Sequence, residues 1–309
     1  MILLRLCDIF FSKEKIMELI ADYIKDDRYL EKLNDLTNEV FGFSFEDWVK
    51  NGYYKGEYIP YSFLEDGKIV SNVSANIMKF KYNNENKKYI QIGTVMTSYS
   101  FRNRSLASKL MKYVIEEYKD KCDAIYLFGD LKALEFYKKL GFTVINQYRY
   151  NLKKEYIGKI INNKNQLIQV NKDNISLKNL FIEYIKKGIS YGNFEQINRF
   201  GLTMFYCQYF EDVYYIDNLD VFVVLEFDNN NLIIKSIIGK NDVSLEEIIA
   251  NINIPYSYLE LGFTPLEKDM YLFDCSLFDG GEDYRLFILG DDLKIVEEKK
   301  LFFPLLSHA

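Results

Sequence analysis

The sequence predicts an α/β fold of the α+β kind, a mixed and mostly antiparallel central sheet flanked by helices, followed by a second, smaller α+β domain. Three observations predict it. Two β-rich runs in "YIPYSFLEDGKIVSNVSANIMKF" flank Asp66-Gly67, a pair suited to hairpin turns that need positive φ. A third run, "KKYIQIGTVMTSY", passes straight into a helical pattern, after which short apolar runs alternate with helical ones. The length of 309 residues is enough for two domains, each with its own core.

Taken in order, "KIMELIADYI" and "YLEKLNDLTNEVF" read as helices from about residue 13 to 40, and the hairpin and third strand follow. The stretch "SYSFRNRSLASKLMKYVIEEYK" then holds a basic turn and a helix. Leu106, Leu110, Met111, Val114, Ile115 and Tyr118 recur at spacings of three and four, and Ser105 is a suitable N-cap. "DAIYLFGD" has strand length. In "LKALEFYKKLGF" Ala133, Phe136, Tyr137 and Leu140 share a helical face that Gly141 closes, and "TVINQYRYNL" reads as one last strand. The second half opens with the helix "LKNLFIEYIKKG", then strand, turn and strand in "VFVVLEFDNNNLIIKSIIG". The helix "SLEEIIAN" and the strands "YSYLELGFTP" and "YRLFILG" follow.

Composition narrows the function. With 49% hydrophobic and 27% charged residues the chain reads as a globular protein, and its net charge of −6 argues against general binding to nucleic acid or anionic membranes while suiting a cationic partner. Cys7, Cys122, Cys207 and Cys275 lie far apart with no C-x-x-C, so neither a disulfide framework nor a zinc site is expected, and a reducing cytoplasm fits. Arg5 and Asp8 interrupt the apolar opening "MILLRLCDIFF", which speaks against a signal peptide. No run approaches the roughly 18 apolar residues of a membrane span.

The basic turn is the first candidate site. A helix start carries unpaired N–H donors and the positive end of the helix dipole, and Arg102, Asn103 and Arg104 add charge and donors there. The natural guest is a phosphate, at the C-terminal end of a strand where such sheets bind ligands.

At these residues the sequence resembles the GNAT superfamily of acyl-CoA-dependent N-acyltransferases, chiefly over 92–150. The family's pyrophosphate loop, R-x-x-G-x-G/A, is matched by Arg102, Asn103, Arg104, Ser105, Leu106 and Ala107. Its later signature is matched in "DLKALEFYKKLGF" by Ala133, Phe136, Tyr137, Gly141 and Phe142. The resemblance implies that Val95, Met96 and Thr97 pair through their backbone with the pantetheine arm and the acetyl carbonyl. It implies that 102–107 surround the pyrophosphate and that Tyr137 protonates the departing thiolate. Two departures stand out. Ser105 replaces the usual Gly, which matters if φ is positive there, and Asp130 replaces a common Asn beside the cofactor arm. On this resemblance 1–152 form the acetyl-CoA-binding domain.

The second half partly repeats the element order, but "GKNDVSLEEI" stands where the basic turn would be and has no arginine. Residues 161–309 therefore resemble a degenerate GNAT-like domain without a CoA loop, an unrelated α+β module being the alternative. Tandem relatives, including those of the enhanced intracellular survival acetyltransferases, wall the acceptor site with such a domain. The only histidine, His308, lies in the tail "KKLFFPLLSHA", which is too apolar to stay in water. In the survival-type relatives the C-terminal carboxylate reaches the first domain's active site, and the resemblance implies the same for Ala309 as proton acceptor. The expected activity is acetyl transfer from acetyl-CoA, without a metal, to a primary amine of a small molecule or peptide, the amine cationic, with a homo-oligomer as an open alternative to a single chain. A CoA-binding sensor or pseudoenzyme, and a purely structural interaction protein, are the alternatives.

Overall fold

The computed structural model describes residues 2–4, 17–158, 167–171 and 173–309. Among them two mostly antiparallel sheets form, each flanked by helices. The first holds β1 (Ile2–Leu4), β2 (Glu18–Ala21), β3 (Tyr58–Glu65), β4 (Lys68–Tyr82), β5 (Glu85–Thr97) and β6 (Ala124–Gly129) side by side in that order. Helices α1 (Asp27–Phe41), α2 (Glu46–Lys50), α3 (Leu106–Tyr118) and α4 (Leu134–Lys138) lie along the same stretch of chain.

The residues dictate which face each helix covers. Leu110, Met111 and Val114 of α3 pack with Val73, Ala75, Ile90 and Ile92 on one face of the sheet. Leu30, Leu33 and Leu36 of α1 pack with Ile20, Ile69 and Met96 on the other. Leu19 and Ile20 fall on opposite faces, and this corrects the helix expected around them: Glu18–Ala21 pairs antiparallel with Tyr61–Leu64 instead. A period of two with a waiting edge strand outweighs helical propensity here. Residues 13–16 of that expectation lie outside the described residues.

The order of strands then departs from the sequence. β7 (Thr143–Ile145) and β8 (Gln147–Leu152), expected as one strand, part at Asn146 into different sheets. Between β6 and β7 in the first sheet stands β17 (Arg285–Leu289), antiparallel to both. The second sheet holds β9 (Leu167–Gln169), β12 (Val213–Ile216), β13 (Val221–Asp228), β14 (Asn231–Gly239) and β15 (Tyr258–Leu261), and then β8 lies between β15 and β16 (Phe273–Phe278). The end of each sheet thus takes in a strand from the other half, β17 in the first and β8 in the second. In both, a parallel pair precedes the received strand: β5 with β6 across α3, and β14 with β15 across α7 (Leu245–Ala250). The chain thus crosses between the two sheets at β8 and again at β17.

Short strands β10 (Ile189–Ser190) and β11 (Phe194–Gln196) edge β14 and β4, and β11 ties the second half to the first sheet. Helices α5 (Ile175–Lys187) and α6 (Phe200–Cys207) pack with Phe222 and Val224 of the second sheet, while α8 (Ile295–Glu298) leads to the C-terminal segment. That segment is buried. Leu301 and Phe303 enter the cluster of Phe80, Tyr126 and Phe194, and Leu306 joins the second half's core. Its backbone is held as well, since Phe303 N–H donates to Gln147 Oε1 at 3.0 Å and Leu305 N–H to Gly262 O at 2.8 Å.

Candidate active site

The site is built at one irregularity of β5. β5 and β6 pair only over Tyr89–Gln91 and Ala124–Tyr126, after which the two strands part. Against β4 the register shifts between Asn72, which faces Met96, and Ser74, which faces Gly93, so that Thr94 and Val95 together oppose Val73. This is a β-bulge, and Thr94 adopts φ +39. Tyr58 Oη and Thr94 Oγ1 are 2.9 Å apart, and the Asn72 amide donates to Thr94 O at 3.0 Å, which fixes a conformation that a β-branched residue rarely takes.

On one side of the bulge runs an open groove of about 960 Å³, lined by Val95, Met96, Thr97, Arg102, Asn103, Ser105, Leu106, Ala107 and Ala133, with Lys112, Lys132 and Lys139 along it. Nine of the sequence-predicted residues meet there. Asn103 and Ser105 both have positive φ, +64 and +57. Ser105 is left-handed and its hydroxyl makes no cap bond to the helix, so the expectation of a side-chain cap is corrected: the residue turns the chain instead. The first-turn N–H groups of α3 have no intrahelical partners, and Ser105, Leu106 and Ala107 line a groove of positive charge.

Arg102 and Arg104 differ. Arg102 lies over the Tyr99 ring, 4.2 Å from its centre, and lines the groove. Arg104 does not line it and pairs at 3.0 Å with Glu65, a carboxylate only 7% exposed. Asp130 caps the next turn, accepting from Lys132 N–H at 2.6 Å. Tyr137 is buried behind the groove against Phe136, Phe142 and Phe287, in the space that a side chain on Gly129 would fill. Burial first, and then the charge of Asp130, push its phenol up to about 12.

On the other side of the bulge is a cavity of about 410 Å³. Thr94, Tyr58 and Asn76 form its floor, and aromatic rings from the α1–α2 region (Phe41, Phe43, Phe45, Trp48) and from α6 (Phe205, Tyr206) form its walls. His308 and Ala309 close it. Gln91 Nε2 donates to Ala309 O at 3.2 Å, and Tyr206 Oη donates to His308 O at 2.5 Å. The His308 ring stacks on Phe128 with centres 3.9 Å apart. Burial pulls its pKa down to about 4, offset in part by a hydrogen bond with the Phe303 backbone, so the ring is neutral at pH 7. Burial also raises Glu57, whose Oε2 has no hydrogen-bond partner among the described residues.

The structure therefore places ten groups of the sequence-based set around one bulge, nine in the groove and Ala309 in the cavity, with Arg104, Asp130 and Tyr137 just outside the two linings. The aromatic walls and Glu57 are absent from the sequence-based set. The density of rings in "FGFSFEDW" was their signal, but without α6 nothing in the sequence says that they face a cavity rather than a core.

A splayed parallel pair, a bulge at the splay and a basic groove at the start of α3 beside it make up the site. Residues 23–145 match the model of the acetyltransferase (GNAT) domain. Over most of the chain the fold is similar to three solved structures. A GCN5-related N-acetyltransferase from Kribbella flavida has 14% identity and a TM-score of 0.55, over 88% of this chain and 71% of that one. Another from Anabaena variabilis ATCC 29413 has 14% and 0.56, over 88% and 72%. A protein of Enterococcus faecalis V583 described as a probable N-acyltransferase has 15% and 0.54, over 89% and 72%. At such identities the likeness is one of fold, and its span takes in both sheets. No curated protein matches the chain in sequence. Among the described residues no helix is long and apolar enough to cross a membrane.

Proposed function

We propose that the protein transfers an acetyl group from acetyl-CoA to a primary amine by direct attack within a ternary complex. One observation carries the reading: a basic groove and an acid-lined cavity abut at the same bulge, Val95 belonging to one and Thr94 to the other. A donor whose phosphates lie at the α3 N-terminus would bring its thioester to that junction, with the acceptor amine arriving from the cavity.

The chemistry asks for three things. A primary amine with pKa near ~10.4 is neutral in only about one molecule in 2,500 at pH 7, so a proton must leave before attack. In this reading the terminal carboxylate of Ala309 takes it, directly or through water. The nitrogen then attacks the thioester carbon, and the resulting oxyanion is held by backbone N–H donors at Val95–Thr97. The C–S bond breaks as the nitrogen sheds its second proton to become an amide, the departing thiolate takes that proton up, and Tyr137 is the phenol assigned to this side. Its raised pKa makes proton donation to a thiol of about 8.5 partial, so hydrogen bonding to the thiolate is the larger share.

We assign no cofactor to the second half. Ser244 and Glu247 form a capping box at the start of α7 that takes up the N–H groups of both residues, and Glu246 and Glu247 set negative charge where a phosphate would lie. The free thiols Cys122, Cys207 and Cys275 suit a reducing cytoplasm. Thiol release from acetyl-CoA against a panel of amines tests the proposal. Amine-dependent release that falls in Arg102→Ala supports it, and acetyl-CoA binding without release for any amine would leave only a cofactor-binding protein.

A further inference from the structure

The two sides of the bulge differ in sign. Arg102, Lys112, Lys132 and Lys139 line the groove, whereas among the described residues no lysine or arginine lines the cavity, which holds Glu57, Asp283 and the Ala309 terminus. Three buried acceptors in the cavity wall have no hydrogen-bond partner among the described residues: Glu57 Oε2, Gln196 Oε1 and His308 Nε2. A carboxylate oxygen without a donor in an apolar wall favours a cation beside it, and buried acceptors without donors are rarely left so. Their surroundings are apolar. Phe45, Trp48, Tyr58 and Phe205 pack ring against ring at centre distances of 4.8 to 6.3 Å, and π-faces favour cations as well as apolar bodies.

Glu57 and the reacting end of the cavity lie at different places. Glu57 Oε2 is beside Gly201 and Trp48, 3.1 Å from where a Cβ on Gly201 would sit. Ala309 O is beside Gly93 and Gln91. A single ammonium at the bulge would leave Glu57 Oε2 without a partner. Resting on the reading of the site as an amine acetyltransferase, we infer that the acceptor is an apolar, preferably aromatic, diamine. One amine reacts at the bulge, the ring or chain lies against the aromatic wall that Phe45, Trp48 and Phe205 form, and a second cation pairs with Glu57 after a side-chain rotation.

Four amines separate the terms of this inference in the thiol-release assay: p-xylylenediamine, 4-methylbenzylamine, 4-(aminomethyl)benzoate and 1,3-diamino-2-propanol. The aromatic diamine is expected to exceed the matched monoamine in kcat/KM by about tenfold or more, the worth of one cation pair. The benzoate should fall below the monoamine, and the hydroxylated diamine well below the aromatic one. In Glu57→Gln the ratio of diamine to monoamine should collapse toward one. Equal rates for diamine and monoamine, a preference for the hydroxylated diamine, or a ratio that Glu57→Gln leaves unchanged overturns the inference while acetyl transfer stands. If no amine releases thiol, the proposed function fails, and the melting midpoint decides the inference alone. A rise with p-xylylenediamine that 4-methylbenzylamine does not give and Glu57→Gln abolishes supports it, and no difference between the two amines overturns it.

Discussion

A Cβ on Gly93 would lie 2.7 Å from the main-chain oxygen of Ala309 and 2.9 Å from its carbonyl carbon, so the glycine of β5 leaves the room in which the chain's last residue sits. Distances below 3.0 Å to backbone cannot be absorbed by a flexible side chain, and the nearest other atom, Asn76 Nδ2 at 3.0 Å, is itself bonded to Gln91 O and Ser74 Oγ. Gly93→Ala should push the terminus away from the bulge. If Ala309 accepts the amine proton, kcat falls by roughly two orders of magnitude while acetyl-CoA still raises the melting midpoint. Deleting His308 and Ala309 should give the same loss, and the two changes together no more than either. Full turnover in Gly93→Ala removes Ala309 from the mechanism.

The two arginines of the basic turn should separate cleanly. Acetyl-CoA at about a hundredfold over its Kd stabilises a binding protein by ~2.7 kcal/mol. Arg102→Ala should lose most of that rise and leave the free protein's melting midpoint unchanged. Arg104→Ala should keep most of the rise but lower the midpoint, because Glu65 is left buried without its partner. With Arg104 itself 42% exposed, the loss is about 1 kcal/mol. A reversal of these two phenotypes would assign the phosphate to Arg104.

The αL turn at Ser105 gives an independent check on the loop. Its φ of +57 costs a side-chain-bearing residue about 1 kcal/mol, and its hydroxyl caps nothing in the free protein. Ser105→Gly is expected to raise the melting midpoint in the absence of ligand by the equivalent of several tenths of a kcal/mol. If the hydroxyl donates to phosphate, the same change lowers affinity for acetyl-CoA, which a titration of the variant reads directly.

How far the sequence carried is uneven, and the reason is local. The hairpin at Asp66-Gly67, the strand-to-helix step at Thr97–Leu106 and Gly141 were legible because their signals lie within a few residues of one another. The strand exchange was not. "TVINQYRYNL" and "YRLFILG" both read as strands, but the partner of a β-strand is chosen by cross-strand packing over long separations, and β17 meets β6 across more than half the chain. The cavity was hidden for the same reason, since Trp48 comes to face Phe205 and donates its indole N–H to Gly201 O at 2.7 Å only through tertiary packing. The apolar tail was the exception. Phe302, Phe303 and Leu306 announced that the terminus must be buried, though not where.

Tyr137→Phe tests the leaving-group side. The phenol is buried and pushed up to about 12, and the ring's packing on Phe287 at 4.9 Å is kept by phenylalanine, so stability should change little. A turnover lower by one to two orders of magnitude with KM for acetyl-CoA within a few-fold would assign the hydroxyl to the thiolate. An unchanged kcat would leave Tyr137 as a core residue that fills the space beside Gly129.

His308 makes a pH prediction whose sign is fixed by burial. Its folded pKa, about 4, lies below the ordinary histidine value of about 6.5, so the folded state disfavours the charged ring. The stability tied to this group is therefore fully present above about pH 6.5 and is lost as pH falls toward 4, where protonation in the unfolded chain is no longer matched in the folded one. The difference of about 2.5 units corresponds to at most ~3 kcal/mol, less if water reaches the ring. Glu57 works in the opposite direction: burial raises its pKa, so its contribution to stability is present at low pH and is lost as pH rises through the folded value. Comparing whole-protein curves would mix the two, and the difference between wild type and His308→Phe isolates the first. Phenylalanine preserves the stack on Phe128 and cannot take a proton, so the variant's denaturation midpoint should fall less steeply than the wild type's between pH 6.5 and 4, the curves running parallel above pH 7. Parallel curves throughout would mean that the ring is already solvated in the folded protein, and that the cavity end beside Ala309 is open to water.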